Sequence, residues 1–195
     1  MRLKDENKEQ AIREKAIEMI VKEGFPGLSM QKLAKEAGVS PATIYLYFKN
    51  KEDMLNQLYM SIEQLFSDEI LRDFRPEMSL EEGMWIQWKN RFAYSRKHPY
   101  NFSFMEQFRN SPLINHKDLK ESPFKDAMAK FYMSAVKRNE IKELPLEIFW
   151  SIGYGPLYSL IRFDRAEKSM MGNKFEFDEK KMRQAFDLAM KALRN

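Results

Sequence analysis

A run of small, apolar and hydroxyl-bearing side chains follows Ser40, in the order Ser-Pro-Ala-Thr-Ile-Tyr-Leu-Tyr-Phe. Ser40 and Pro41 are typical of the N-cap and the first position of a helix. Ile44 and Phe48 lie four residues apart and predict a buried stripe. That stripe turns the other side chains outward, namely Ala42, Thr43, Tyr45, Leu46 and Tyr47. Outward methyl groups suit the thymine methyl group, and outward hydroxyls suit base edges or phosphates, so the chemistry predicted here is contact with duplex DNA.

A second short helix precedes this one and must position it. Ser29 is a suitable N-cap, and Gly38 provides the positive φ with which helices commonly end. Only three residues separate the two helices, which predicts a helix-turn-helix whose second helix enters the major groove. Between residues 22 and 51 there are five lysines and two glutamates, and this positive balance predicts binding that weakens with salt. Two core helices of an ordinary bundle are the alternative.

The run from Leu33 to Leu55 resembles the N-terminal domain of the TetR family of transcriptional regulators. The matching residues are Leu33-Ala34-x-x-Ala37-Gly38-Val39-Ser40-x-x-Thr43-Ile44-Tyr45-x-Tyr47-Phe48-x-Asn50-Lys51-Glu52-x-Met54-Leu55. The resemblance implies a homodimer that represses transcription and releases its operator when a small molecule binds the C-terminal domain. Activation in place of repression stays open, because the effect on transcription depends on where the operator lies relative to the promoter.

By position, the resemblance implies phosphate contacts from Ser29, Tyr47 and Lys51, which Thr43 and Tyr45 are able to join. It also implies base contacts from four residues, Pro41, Ala42, Tyr45 and Leu46. Many members of the family have histidine where this chain has Tyr47. The predicted DNA-binding residues are therefore Ser29, Ser40, Pro41, Ala42, Thr43, Tyr45, Leu46, Tyr47 and Lys51.

Apolar residues recur near the helical period along the whole chain, which predicts an all-α fold. The first helix is expected from Asp5 to Glu23, ended by Gly24. Residues 1–50 are predicted to form the helix-turn-helix DNA-binding domain, and a long connecting helix spans 51–73. Residues 51–195 are predicted to form a larger helical domain for ligand binding and dimerisation.

Aromatic residues and methionines concentrate between Trp85 and Tyr158, and together they predict a cavity for a small lipophilic effector. Ordinary core packing is the alternative for any one of them. Glu81, Glu82 or Glu106 would favour a cationic ligand, but solvated surface carboxylates are the preferred interpretation. The candidate pocket residues are Trp85, Trp88, Phe92, Phe104, Met105, Phe108, Met128, Phe131, Tyr132, Phe149 and Tyr154.

Two apolar segments near the C-terminus predict a homodimer interface. The segment 145–165 begins at Pro145 and should kink at Pro156, and the segment 178–194 carries one apolar stripe. Two such helices from each protomer would form a four-helix interface. The alternative is that both pack only within one protomer.

The composition argues against catalysis and against a membrane protein. There is no cysteine, and the two histidines, His98 and His116, lack metal-ligand spacing, so neither a metal nor another cofactor is predicted. No long apolar run or signal segment occurs, which predicts a cytoplasmic protein without membrane contact. The predicted partners are double-stranded DNA with a near-palindromic operator and a small effector. The alternative function is a helical ligand- or partner-binding protein that does not bind DNA.

Overall fold

The computed structural model describes residues 5–109 and 123–195, and within these ranges it is helical. The only β-type pairing there is an isolated bridge between Ile141 and Arg194, so the predicted all-α fold is confirmed. The helices are α1 (Glu6–Gly27), α2 (Met30–Glu36), α3 (Pro41–Tyr47), α4 (Lys51–Ile70), α5 (Leu80–Lys97), α6 (Pro99–Arg109), α7 (Pro123–Lys137), α8 (Leu146–Gly153), α9 (Gly155–Arg165) and α10 (Glu179–Leu193). No helix in the described ranges is long and apolar enough to cross a bilayer.

The chain divides into two compact units. The first contains the residues up to Phe66 and resumes at His98 with α6, and the second contains residues 67–97 and the chain from α7 onward. This division differs from a boundary at residue 50, because most of α4 and all of α6 belong with α1, α2 and α3.

In the first unit, local signals define the helices and aromatic packing holds α6 in place. The Asp5 side chain caps α1, and Gly24 interrupts the helix at φ 73°, where the sequence predicted its end. The Phe25 ring just beyond this break packs against two rings of α6, Phe104 at 6.3 Å and Phe108 at 5.8 Å between centroids. Tyr59 of α4 stacks on Phe108 at 4.4 Å. The C-terminal end of α1 is therefore in contact with α6.

In the second unit, α5 packs against its neighbours at close range. A β-carbon on Gly83 would lie 2.4 Å from the ring of Phe131, so only glycine allows α7 to approach this closely. The indole N–H of Trp88 donates to the carbonyl of Gly153 at 2.8 Å, at the end of α8. The predicted kink near Pro156 takes the form of a break at Tyr154, which separates α8 from α9.

Candidate functional site

Side-chain caps set the geometry of α2 and α3. The Ser29 hydroxyl accepts from the N–H of Lys32 at 3.1 Å, and the Ser40 hydroxyl accepts from the N–H of Thr43 at 3.2 Å. Gly38 adopts φ 65°, a conformation that costs glycine little. The caps and the turn thus form as the sequence predicted, and the two helices make a helix-turn-helix.

The outward face of α3 is apolar although it is exposed. Tyr45 and Leu46 are 55% and 52% exposed, whereas Ile44 and Phe48 are fully buried beneath them. Pro41 and Ala42 are also exposed, at the N-terminal end of the same helix. These four outward residues match the predicted base-contacting set, and an apolar helix face of this size fits a major groove.

Tyr47 does not point outward, and this prediction was wrong. Its side chain is only 8% exposed, and its hydroxyl donates to the carbonyl of Asp5 and accepts from the N–H of Asp5, both at 3.1 Å. Tyr47 follows Ile44 by three residues, and that spacing keeps both side chains on the inner face of α3. The hydroxyl therefore ties the end of α3 to the start of α1.

The other hydroxyl-bearing residues of the site are exposed or half-buried, and three of them form local hydrogen bonds. Thr43 is half-buried, and its hydroxyl lies 2.9 Å from that of Ser40. Ser29 and Ser40 are exposed. Each capping hydroxyl uses an oxygen lone pair for its backbone bond, and Ser29 and Tyr45 retain O–H groups that suit phosphate oxygens. Their phosphate contacts stay predictions.

Lys51 lies at the start of α4 with its side chain half-buried. Its ammonium donates to the carbonyl oxygen of Phe25 at 2.7 Å, which uses one of three N–H donors. The two donors that remain are compatible with the predicted phosphate contact.

The other lysines around the motif divide into two groups. Lys22 pairs with Glu18 at 2.6 Å and Lys32 pairs with Glu23, so both charges are partly neutralised. Hydrogen bonds from Lys22 and Lys15 lower the pKa of Glu18 to about 2. Lys35 and Lys49 are exposed and form no salt bridge within the described part of the chain, so they add positive potential beside α3.

The candidate pocket residues fall into separate groups. Phe104, Met105 and Phe108 lie on α6 in the first unit. In the second unit, Trp85 and Trp88 pack against Phe186 of α10 at 5.0 and 5.3 Å. Phe92 packs against Phe177, and Phe131 packs against Phe74. The rings of Tyr132, Phe149 and Tyr154 are in contact one after another. Met128 is buried on α7. Contact of any of these residues with an effector stays a prediction.

A buried polar cluster in the second unit was missed by the sequence analysis. Arg91 of α5 is fully buried, and its guanidinium donates to the Tyr158 hydroxyl at 2.7 Å and to the Gln87 side chain at 3.1 Å. Its carbon centre lies 4.5 Å from the Tyr154 ring and 5.1 Å from the Trp150 ring. Arg91 follows the buried Trp88 by three residues, and this spacing was the available signal.

Two of the carboxylates considered for a cationic ligand, Glu81 and Glu82, bind other side chains of the protein. Glu81 forms salt bridges with Arg183 at 2.9 Å and with Arg194, and these hydrogen bonds lower the pKa of Glu81. Glu82 accepts from the Ser79 hydroxyl at 2.8 Å, and its N–H donates to the same hydroxyl at 3.3 Å, which forms a capping box at the start of α5. Within the described residues, acidic and histidine side chains form no cluster able to hold a metal ion, and His116 lies outside those residues.

Comparison with known proteins places the motif in a defined family. Residues 12–58 match the model of bacterial regulatory proteins of the tetR family. An uncharacterized HTH-type transcriptional regulator of Haemophilus influenzae is 37% identical over 101 residues, which are 52% of this chain and 53% of that protein. The fatty acid metabolism regulator protein of Bacillus subtilis is 35% identical over 78 residues, 40% of each chain. The matched region thus spans about half or less of these relatives.

Solved structures share the fold over the full length. A TetR family transcription regulator from Marinobacter aquaeolei superposes with a TM-score of 0.77 at 25% identity, covering 100% of both chains. The transcriptional regulator FadR of Bacillus subtilis, solved in complex with stearoyl-CoA, has a TM-score of 0.63 at 19% identity over 95% of this chain and 100% of that one. Residues 12–58 thus carry the DNA-binding motif of the tetR family, and the chain shares its fold with solved TetR family transcription regulators.

Proposed function

We propose that the chain is a homodimeric repressor that reads a near-palindromic operator with α3 and releases it when a small lipophilic effector binds the second unit. The observation that carries this proposal is the exposed apolar face of α3, where Tyr45 and Leu46 are each more than half exposed. A repressor must reach the chromosome to bind its operator, so the proposed role implies a cytoplasmic location.

The homodimer is supported by apolar side chains left uncovered on α8 and α10. Leu188 of α10 is 70% exposed, and Ile148 of α8 is 44% exposed. Both lie in the segments that the sequence predicted to form the interface. We expect Leu188→Arg to shift the protein from dimer to monomer in sedimentation velocity, because a charge would be buried in the interface. Met133→Arg, at a residue 62% exposed on α7, is the matched control; an equal shift would argue against this interface.

The lipophilic effector is supported by the apolar interior of the second unit and by a relative. Tyr132, Phe149 and Tyr154 are all nearly or fully buried in one row. The Bacillus subtilis regulator FadR, which shares the fold, was solved with stearoyl-CoA. If operator and effector prefer different conformations, each weakens the other by the same factor, typically about five- to 150-fold.

Selection of bound duplexes from a random pool at low salt tests the DNA-binding part of the proposal. The expected result is a near-palindromic motif with half-sites about one helical turn apart. Wild type and Leu46→Ala should be selected in parallel, because a change of motif in the variant links the enriched sequence to α3. An unenriched wild-type pool would support the alternative function, a helical ligand- or partner-binding protein that does not bind DNA.

A further inference from the structure

We propose that Arg91 and Tyr154 bind the carboxylate of a lipophilic organic acid, and that such an acid is the effector. The inference rests on the proposed function, since it names the chemical class of the molecule that the regulator senses. It assigns one charged and one neutral hydrogen-bond donor in the second unit to the acid's head group.

The first observation is a guanidinium held inside an aromatic shell. The Arg91 carbon centre lies within 6 Å of four ring centroids, those of Phe124, Trp150, Tyr154 and Tyr158. Charged side chains are almost never buried this completely unless their polar atoms are paired. Arginine tolerates such a site better than lysine, because its charge is delocalised and its planar faces stack on rings.

The second observation is a buried hydroxyl beside the guanidinium. Tyr154 is fully buried, and its hydroxyl has no hydrogen-bond partner of acceptable geometry among the described residues. Burial raises the pKa of Tyr154, and the nearby Arg91 charge offsets part of that rise, so the hydroxyl stays protonated and can donate. A buried donor without an acceptor is costly, and an incoming oxygen atom would relieve that cost.

Tyr154 lies at a break between two helices, with its ring beside the Arg91 guanidinium. Tyr154 is the break residue between α8 and α9, with φ −122° and ψ −22°, and its N–H still bonds the Trp150 carbonyl at 2.9 Å. The Tyr154 ring lies at a tilt 4.6 Å from the Trp150 ring. Trp150 and Phe124, whose rings flank the guanidinium, are only half-buried.

The donor set selects a carboxylate over other head groups. A guanidinium binds the two oxygens of a carboxylate in one plane, and the Tyr154 hydroxyl adds a third donor. A cationic head group would be repelled by Arg91, and an alcohol brings no negative charge to strengthen its hydrogen bond with the guanidinium. An acyl-CoA presents a neutral thioester at the acyl end, so it would gain less from Arg91 than the free acid does.

Calorimetric titration of the wild-type protein with dodecanoic acid, dodecanol and dodecanoyl-CoA tests the proposal. The three ligands share one alkyl chain and differ in the head group. We expect the acid to bind roughly 10- to 150-fold more tightly than the alcohol, the range that hydrogen bonds to charged groups contribute. Arg91→Met should abolish the difference, and Tyr154→Phe should reduce it by roughly two- to 13-fold.

The controls separate binding from folding and from DNA recognition. Arg91→Met also removes the hydrogen bonds to Tyr158 and Gln87, so a thermal melt checks that the variant still folds, and Tyr154→Phe tests the proposal independently of it. Tyr154→Phe removes only an oxygen atom. Lys89→Met removes an exposed charge two residues away on α5 and should leave the preference unchanged.

Equal binding of acid and alcohol, no binding of the acid, or a preference that survives Arg91→Met would each overturn the proposal. Preferential binding of dodecanoyl-CoA that persists in Arg91→Met would overturn it as well. Operator binding by the same proteins without ligand is measured separately. If the operator is bound and the acid is not preferred, only this inference fails; if no duplex is bound, the proposed function fails regardless of the titrations.

Discussion

The Lys51 ammonium donates a hydrogen bond of 2.7 Å to the carbonyl oxygen of Phe25, whose ring packs against Phe104 and Phe108 of α6. The cation expected to meet a phosphate is thus anchored on the turn that α6 supports. All four residues belong to the first unit. A movement of α6 would therefore be transmitted to Lys51 through Phe25.

Lys51→Met should weaken the binding of all duplexes by a similar factor and reduce the slope of log affinity against log salt by about one. The methionine keeps the aliphatic stem but removes the charge. Stability should fall by about 1–2 kcal/mol, because one half-buried, charge-assisted hydrogen bond is lost. Fluorescence anisotropy with a selected duplex measures the slope, with Lys89→Met as the control. An unchanged slope would show that the Lys51 charge acts only on Phe25.

Tyr47→Phe should destabilise the protein by about 1–2 kcal/mol, because both hydrogen bonds to the Asp5 backbone disappear. Urea unfolding measures this loss. Tyr45→Phe, at a residue 55% exposed on the same helix, should change stability by less than about 0.5 kcal/mol. If Tyr47→Phe instead preserved stability and lowered the salt slope, its hydroxyl would be a phosphate contact after all.

Leu46→Ala should alter which base is preferred at one position of each half-site, with little effect on folding. Leu46 is 52% exposed, so its methyl groups are available to a thymine methyl group. Competition among duplexes that differ at single positions measures the change. Ala42→Gly should affect a neighbouring position in the same way. Met133→Ala, which removes exposed apolar surface from α7, should leave every preference intact.

Gly83→Ala should cost about 1–3 kcal/mol, the range seen when a packed core is overfilled. The new methyl group would lie 2.4 Å from the Phe131 ring and 3.2 Å from that of Phe74. Gly153→Ala is the matched comparison, because its methyl group would meet the flexible end of Met84 at 2.9 Å. We expect a smaller loss there in thermal unfolding; equal losses would contradict rigid packing at Phe131.

Glu140 should make stability depend on pH in the acidic range. Hydrogen bonds from Arg138 hold the pKa of Glu140 below its ordinary value of 4.5, and the N–H of Leu80 adds to this at 2.7 Å. A depressed pKa in the folded state stabilises the protein above the unfolded value, and this contribution is lost as pH falls below 4.5 through the folded value. The stability difference between wild type and Glu140→Gln should therefore shrink in that window during urea unfolding. A difference that is constant with pH would contradict the role of the carboxylate, and Glu143→Gln provides the control.

Local signals in the sequence were sufficient to predict the helix-turn-helix and were insufficient for long-range packing. Ser29 and Ser40 bond the N–H three residues further on, and Gly38 adopts a positive φ. These roles depend only on nearby residues, so the sequence spacing predicts them. The rings that meet Phe25 come from α6, far along the chain, and no local pattern links them. Placement of α6 in the first unit was therefore not predicted.

Two side chains show where default expectations about polarity mislead. Tyr47 was predicted to face outward because the buried stripe was drawn through Ile44 and Phe48 alone, although its spacing of three residues from Ile44 indicates the inner face. Arg91 was not among the predicted pocket residues, because that prediction selected aromatic side chains and methionines. In both cases the buried polar atoms bond a partner that is distant in sequence, the Asp5 backbone for Tyr47 and the Tyr158 hydroxyl for Arg91.

Methylation protection of a selected duplex tests most directly whether two copies of α3 read DNA from the major groove. Dimethyl sulfate modifies guanine N7 in the major groove and adenine N3 in the minor groove. We predict protection of guanine N7 at two places roughly 10 base pairs apart, related by the two-fold symmetry of the dimer. Protection confined to adenine N3, or a single protected site without symmetry, would contradict the account.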